Sequence, residues 1–280
     1  MSVSFRRALV GAFATALFAA APFAAAPANA NPRPLPYTYI YETLPKGDAE
    51  IELYSDLEPL RVNESGLSAG NGAQTWYLAS QFQLEIEYGL TDRLELGLYL
   101  TLAPTDPALQ NLPRMSEGTG VKQRLRYRFA DAGQWPIDLA VYGEATENQS
   151  EIEIEGKIIL QRRVGAFRIA ANAWAEREYY FSGAHEWVLN PAAGVVFEKW
   201  ITAQPGIEYW MHAEYSGTNL QLGPDHFLGP TVILQLGKIW WSTGVYAHLN
   251  GLNTLAPSLA VTGDPFGGPI WVRTIVGISY

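Results

Sequence analysis

The residues most able to do chemistry are charged side chains at alternate positions. Lys122, Arg124, Arg126 and Arg128 form a basic column, and glutamates recur at the same spacing elsewhere in the chain. Paired carboxylates can serve as acid and base in catalysis. However, a spacing of two places these side chains side by side on one face of a β-strand, as on the solvated face of a sheet. Such a wall either selects charged solutes or packs into a network of ion pairs, and both interpretations stay open.

The predicted order of the strands determines which of these charges can meet. An antiparallel arrangement through the loop after Leu102 and the turn at Asp131 predicts that Arg126 and Arg128 lie near Glu95. On the other side of the same strand, Lys122 and Arg124 are predicted to lie near Glu144. The whole predicted luminal charge network comprises Glu85, Glu87, Arg93, Glu95, Lys122, Arg124, Arg126, Arg128, Glu144, Glu153 and Glu155.

Other kinds of site find little support in the sequence. The chain has no cysteine, and its four histidines are far apart, without the short spacing of a metal site. Each histidine is therefore expected to be an interfacial or loop residue. A GxSxG pattern occurs at residues 66–70, but it falls in a predicted loop between two strands and not in the strand-to-helix turn that a common type of serine hydrolase requires. We expect no metal, no cofactor and no enzymatic activity, with a lipid-modifying enzyme as the less favoured alternative.

The elements that position the charges are long strands, best seen in a hairpin from Trp76 to Leu102. Leu84, Ile86 and Tyr88 alternate with Glu85 and Glu87, a period of two that a helix cannot produce. The strand from Trp76 to Tyr88, tilted by ~45°, rises roughly 28 Å. This length is typical of a transmembrane barrel, whereas strands of soluble sheets are usually shorter. A soluble sandwich is the alternative.

The same pattern continues from Ala49 to Tyr280 and yields twelve strands. The sequence therefore predicts an all-β protein, a transmembrane antiparallel up-and-down β-barrel of about 12 strands over residues 49–280. Turns on one side are short and loops on the other are longer, as in outer-membrane barrels. Residues 31–48, which are rich in proline and polar at their start, are predicted to form an extended periplasmic lead-in.

The amino terminus predicts export. Arg6 and Arg7 precede an alanine-rich apolar run that ends at Ala28-Asn29-Ala30, a small-x-small cleavage site, so residues 1–30 are predicted to be a cleaved signal peptide. The expected location is the bacterial outer membrane. The formal net charge of −9 becomes more negative when the two arginines are removed, which argues against nucleic acid as a partner.

The carboxyl terminus carries a second indication of a barrel. Val276, Ile278 and Tyr280 share one strand face and end on a terminal aromatic residue. This ending resembles the recognition signal that outer-membrane barrels present to the bacterial assembly machinery, although Gly277 is displaced from the usual position of the glycine. The resemblance implies that the assembly machinery is a partner.

The hairpin also resembles a known group. Its segment YGLTDRLELGL, residues 88–98, is similar to a hairpin common in Gram-negative barrels described as transporters, which include barrels associated with meta-pathway phenol degradation. The similarity covers this hairpin, the strand from Lys122 to Phe129 and the carboxyl end. It implies a barrel fold and does not identify a substrate.

These observations predict a channel or transporter that passes small solutes across the outer membrane without a cofactor. The expected surroundings are outer-membrane lipid and lipopolysaccharide, and the barrel is expected to be a monomer. Alternatives are a structural or interaction barrel with a closed lumen and, with less support, the barrel lipid-modifying enzyme.

Overall fold

The computed structural model describes residues 31–63, 74–102, 119–249 and 266–280, and the predicted signal peptide at 1–30 lies outside them. Within the described residues one antiparallel sheet contains all the strands, and no helix is long and apolar enough to span a membrane. The strands are β1 (Ala49–Asn63), β2 (Gln74–Thr91), β3 (Leu94–Leu102), β4 (Gly120–Arg128), β5 (Asp138–Glu147), β6 (Glu151–Val164), β7 (Phe167–Tyr180), β8 (His185–Leu189), β9 (Ala192–Phe197), β10 (Ala203–Ser216), β11 (Asn219–Leu236), β12 (Ile239–His248) and β13 (Ile270–Ser279).

The sheet closes on itself, because β1 pairs with β13 and Glu50 lies opposite Ser279. The short strands β8 and β9 both lie between β7 and β10, so they are two halves of one barrel strand interrupted at Asn190 and Pro191. The barrel therefore has twelve strand positions, which confirms the predicted fold and strand number. Closure leaves no unpaired edge, a requirement for strands that cross a membrane.

Alternation along each strand separates an apolar outer face from a polar interior. On β4, Leu125 is 49% exposed, whereas its neighbours Arg124 and Arg126 are 1% and 0% exposed. A shift by one residue would turn these arginines toward hydrocarbon, at a cost of about 2–4 kcal/mol for each one near the bilayer midplane. The charged column therefore fixes the register of β4, and the apolar outer face makes this a transmembrane barrel.

The two ends of the barrel differ. At one end the connections are short, with glycines at positive φ in three of them, Gly133 (φ 78°), Gly165 (φ 61°) and Gly237 (φ 70°). We call this the short-turn end. At the opposite end, the connections β1–β2, β3–β4 and β12–β13 run through residues outside the described ranges. Short turns are typical of the periplasmic side of outer-membrane barrels.

The segment before β1 is placed differently from our prediction. We expected residues 31–48 to be an extended periplasmic lead-in, but residues 31–44 lie inside the barrel, where Leu35, Ile40 and Tyr41 are almost completely buried. We call residues 31–44 the re-entrant loop. Its polar beginning suits a barrel interior as well as it suits solvent, because the interior wall is itself polar. Composition alone therefore could not distinguish the two locations.

Candidate functional site

The apex of the re-entrant loop, residues 37–39, is held by one wall of the barrel and reaches the wall across from it. The backbone N–H of Tyr37 donates to Oε1 of Glu208 on β10 at 3.1 Å, and the N–H of Thr38 donates to the same oxygen. Two strand positions away, Asn172 of β7 accepts from the N–H of Tyr39 at 2.6 Å and donates to its carbonyl oxygen at 3.0 Å. Across the lumen, the hydroxyl of Tyr37 donates to Asp56 on β1 at 3.4 Å, and the hydroxyl oxygens of Tyr39 and Tyr99 on β3 lie 3.3 Å apart. The apex thus spans the lumen.

The loop then returns toward the short-turn end. The N–H of Tyr41 donates to Gln161 at 3.2 Å, and the N–H of Leu44 donates to Glu95 at 2.7 Å. The two limbs meet at their base, where the side-chain amide of Asn31 donates to the carbonyl oxygen of Glu42 at 3.3 Å. The barrel wall therefore provides hydrogen-bond partners for the loop backbone at several heights, as a buried polar segment requires.

One close contact fixes the side of the loop that faces β9. A Cβ atom on Gly194 would lie 2.7 Å from Cδ2 of Leu35, so a larger residue there would displace the leucine. Leu35 packs in a small apolar cluster with Ala170 and Val196. The missing side chain at Gly194 thus creates the space in which the loop rests.

The most buried charges of the lumen gather around Arg124. Its Nε lies 2.7 Å from Oε1 of Glu85, its Nη1 lies 2.6 Å from Oε1 of Glu95, and its Nη2 contacts Glu87. Arg126 shares Glu95, with 2.6 Å between Nη2 and Oε1. A guanidinium group that bonds three carboxylates at once is held rigidly and leaves little room for solute or water.

This arrangement differs from the predicted pairing of Arg124 with Glu144. The two residues are opposite each other in the β4–β5 register, yet the side chain of Arg124 turns toward β2 and β3. Gly97 makes this possible, because a Cβ atom there would lie 2.5 Å from Nε of Arg124. The arginine crosses the gap above the glycine and reaches Glu85 on the next strand.

A second group of charges lies nearer the opposite end. Nζ of Lys122 lies 3.2 Å from Oε1 of Glu144, the pair that the strand order predicts. Glu155 is buried and contacts Lys157, while Glu153 is half-buried and lies opposite Glu178. Glutamates predominate here, so this part of the lumen is acidic.

Arg93 and Arg128 do not join either luminal group. Both bind Asp131 at the short-turn end, at 3.2 and 2.9 Å respectively, and the side chain of Arg93 is 41% exposed. The tight turn at Asp92 and Arg93 rotates Arg93 out of the inner face. Desolvation would raise the pKa of Asp131, but the two guanidinium groups outweigh it and hold this pKa below its ordinary value. Our assignment of Arg93 and Arg128 to the luminal network, and of Arg128 to a position near Glu95, is therefore corrected.

A cavity of about 250 Å³ lies beyond the apex of the loop. Its lining extends to Gly120 and Tyr180, at the ends of β4 and β7 that lie away from the short turns. Tyr37 and Tyr39 of the loop form its floor. Seven glutamates and only three basic residues line it; the glutamates are Glu144, Glu151, Glu153, Glu155, Glu176, Glu178 and Glu214, and the basic residues are Lys122, Lys157 and Arg273.

Aromatic side chains form much of the lower cavity, and sequence reasoning did not give them a role. The ring of Tyr37 stacks on Trp210 with 4.1 Å between centroids, and the guanidinium of Arg273 lies 3.8 Å from the centroid of Tyr37. Nζ of Lys157 lies 3.7 Å from the ring centroid of Trp174. Tyr54 and Tyr99 share strand parity with Glu52 and Glu95 respectively, which was the available indication in the sequence.

Two of the four histidines also differ from expectation. His212 and His248 are buried, whereas all four were expected in loops or at the membrane interface. Nδ1 of His212 lies 2.8 Å from Asn190, and Nε2 of His248 lies 2.8 Å from Asp225. Among the described residues, the group that brings at least three possible metal ligands together consists of carboxylates, Glu50, Glu52 and Glu87.

The residues of the predicted assembly signal face outward. Val276, Ile278 and Tyr280 are 38%, 36% and 48% exposed on the apolar surface, and the N–H of Tyr280 donates to the carbonyl oxygen of Ala49 at 2.8 Å. The terminal residues therefore take part in barrel closure. Their role in recognition by the assembly machinery stays a prediction.

No family model matches the sequence, and no curated protein matches it. Solved structures do resemble the barrel. An outer membrane channel from Pseudomonas putida F1 superposes with a TM-score of 0.52 and 12% identity, covering 86% of this chain and 98% of that one. The NanC porin superposes with a TM-score of 0.51 and 6% identity, covering 82% and 98%. These likenesses support the fold.

Proposed function

We propose that this protein is a passive channel for small solutes in the bacterial outer membrane, closed at rest by the re-entrant loop. The observation that carries the proposal is the position of that loop. It separates an acidic cavity at one end from the short-turn end, and hydrogen bonds to the wall hold it there. Because the loop belongs to no strand, it can leave the lumen while the strands of the barrel stay paired.

The lining of the cavity favours cations. Seven glutamates against three basic residues give it a negative potential, which attracts cations and repels anions. The aromatic rings at the floor add surfaces on which an organic cation can rest. A small cationic solute is therefore the class that this channel suits best.

The resemblance of residues 88–98 supports membership in the transporter-like group of Gram-negative barrels, which includes the phenol-degradation-associated ones. We infer that residues 1–30 direct export and are cleaved, that the assembly machinery inserts the barrel, and that it works as a monomer in contact with lipid and lipopolysaccharide. This proposal requires neither a cofactor nor an enzymatic site.

A closed structural barrel is the second candidate, favoured by one observation. The charges around Arg124 and the loop fill the lower lumen so densely that Arg124 and Arg126 are almost completely inaccessible. If the loop never leaves, the lumen stays sealed. Transport measurements distinguish the two candidates.

Reversal potentials in planar bilayers under a KCl gradient test the proposed channel. We expect the open state to prefer K⁺ and the double variant Glu153→Lys, Glu178→Lys to shift the reversal potential toward anion preference. The control is Glu147→Lys, which reverses a charge at the same end of the barrel but on the opposite face of β5 from the lining residues Glu144 and Thr146. Channel openings with no cation preference, or equal shifts in both variants, would overturn the proposed cation path, and a barrel that never conducts would favour the structural alternative.

A further inference from the structure

Three buried carboxylates meet on the inner wall beside the base of the re-entrant loop. Glu50 and Glu52 project from β1 and Glu87 from β2, and one oxygen from each lies within 4.8 Å of the others. The three residues are at most 1% exposed. Carboxylate oxygens arranged so closely are the ligands that hard divalent cations prefer.

A second observation points to a ligand at this place. Oε1 of Glu52 and Oε2 of Glu87 are buried, and no hydrogen-bond donor among the described residues contacts either oxygen. The other oxygens of these carboxylates are occupied, by the hydroxyl of Tyr54 and by the guanidinium of Arg124. Oε2 of Glu87 has Nη2 of Arg126 at 4.0 Å, too far for a hydrogen bond. Buried carboxylate oxygens without a donor are costly unless a cation binds them.

The balance of charge supports the same conclusion. The cluster contains five buried carboxylates, those three together with Glu85 and Glu95. Arg124 joins them, because it bonds Glu85, Glu87 and Glu95 at once. Three guanidinium groups, those of Arg33, Arg124 and Arg126, lie among them. Two negative charges are left without a guanidinium partner. Removal of residues 1–30 would turn the nitrogen of Asn31, 3.2 Å from Oε2 of Glu50, into an α-ammonium that compensates one of them, and a bound cation supplies the remaining charge.

We propose that Glu50, Glu52 and Glu87 bind a divalent cation of the Ca²⁺ class, which strengthens the wall at the base of the loop. The indole Nε1 of Trp240 donates to Oε1 of Glu50 at 2.8 Å and so fixes the orientation of this carboxylate. The site is independent of transport, because binding does not require the lumen to open. The competing state is a proton shared between the carboxylates, in which case no metal binds.

Terbium luminescence tests the site, since Tb³⁺ replaces Ca²⁺ and accepts energy from a nearby indole. The full barrel is refolded after removal of metals, with Tb³⁺ present throughout so that the buried site can fill. We expect one Tb³⁺ per chain, with emission excited through tryptophan and displaced by Ca²⁺. The Trp240→Phe variant should lose this sensitised emission and keep bound Tb³⁺ when the ion is excited directly.

Two further variants assign the ligands. Glu52→Gln should lose Tb³⁺ binding, while Glu178→Gln, which removes a carboxylate of the cavity lining, should keep it. Absence of bound Tb³⁺ in the folded native chain, or equal binding by Glu52→Gln, would overturn the proposal. If Glu52→Gln does not fold, Trp240→Phe still decides, because unchanged sensitised emission would place the ion near another tryptophan. None of these readouts depends on conduction, so they stand apart from the test of the channel.

Discussion

Tyr37, at the apex of the re-entrant loop, donates its backbone N–H to Glu208 across a sequence separation of 171 residues. This contact lies between a segment that belongs to no strand and a wall that is complete without it. A hydrogen bond to a charged group contributes about 1.5–3 kcal/mol. The loop is therefore held firmly enough to occupy the lumen, and its release leaves every strand pair of the barrel in place.

The first prediction concerns the buried charges. Replacing Arg124 with Gln should lower the free energy of unfolding by about 3–5 kcal/mol, because Glu85, Glu87 and Glu95 lose their shared partner. Urea unfolding in lipid vesicles, followed by tryptophan fluorescence, measures this change. Arg93→Gln is the matched control, since Arg93 is exposed and its ion pair contributes about 0–1 kcal/mol. Equal effects of both substitutions would show that Arg124 is not the centre of a buried network.

The strands, their register and the inward face of the basic column could be predicted, because a period of two and the cost of charge in hydrocarbon determine them. The partners of Arg124 could not be predicted. The order of neighbouring strands assigned Arg124 to Glu144, whereas its side chain reaches Glu85 across Gly97. The path of a long side chain depends on a vacant volume, which strand order alone does not reveal.

The position of residues 31–44 could not be predicted for a different reason. In a barrel, the interior and the exterior aqueous spaces are both polar, so an N-terminal polar segment carries no pattern that separates them. The contacts that decide its position involve Asn172 and Glu208, far along the chain. The buried tyrosines of the loop, Tyr37, Tyr39 and Tyr41, alternate as they would in a strand, although the segment pairs with none.

The second prediction concerns the pH dependence of loop attachment. Glu42 lies 2.6 Å from Arg163 and 3.5 Å from Arg168. Desolvation raises the pKa of Glu42, but these two guanidinium groups outweigh it and lower the pKa below its ordinary value. The attachment therefore contributes fully above the unfolded pKa of about 4.3 and is lost as the pH falls through the lower folded value.

We accordingly expect the open probability of the native channel to rise as the pH is lowered below the ordinary glutamate pKa of about 4.3, with single-channel recording as the measurement. Glu42→Gln should remove the part of this pH dependence that comes from Glu42 and raise the open probability at neutral pH. An identical pH profile for the variant and the native chain would contradict the assigned role of Glu42.

The third prediction concerns assembly. Tyr280→Ala keeps the backbone N–H that donates to Ala49 and removes the terminal aromatic side chain. We expect a lower yield of folded barrel in the outer membrane of cells and normal refolding of the purified chain in detergent, both measured by heat-dependent gel mobility. Phe167→Ala, which removes another exposed aromatic residue, is the control and should assemble normally. An unchanged cellular yield for Tyr280→Ala would exclude a recognition role for this residue.

The central claim is that residues 31–44 close a channel that exists without them. The decisive measurement is single-channel conductance of the native barrel beside a variant that begins at Pro45, both refolded and both showing heat-dependent gel mobility. Because the loop occupies the lumen between Glu208 on β10 and Tyr99 on β3, we predict that the shortened chain opens in larger and more frequent current steps than the native chain. A folded shortened barrel that carries no current, or the same current as the native barrel, would contradict the account.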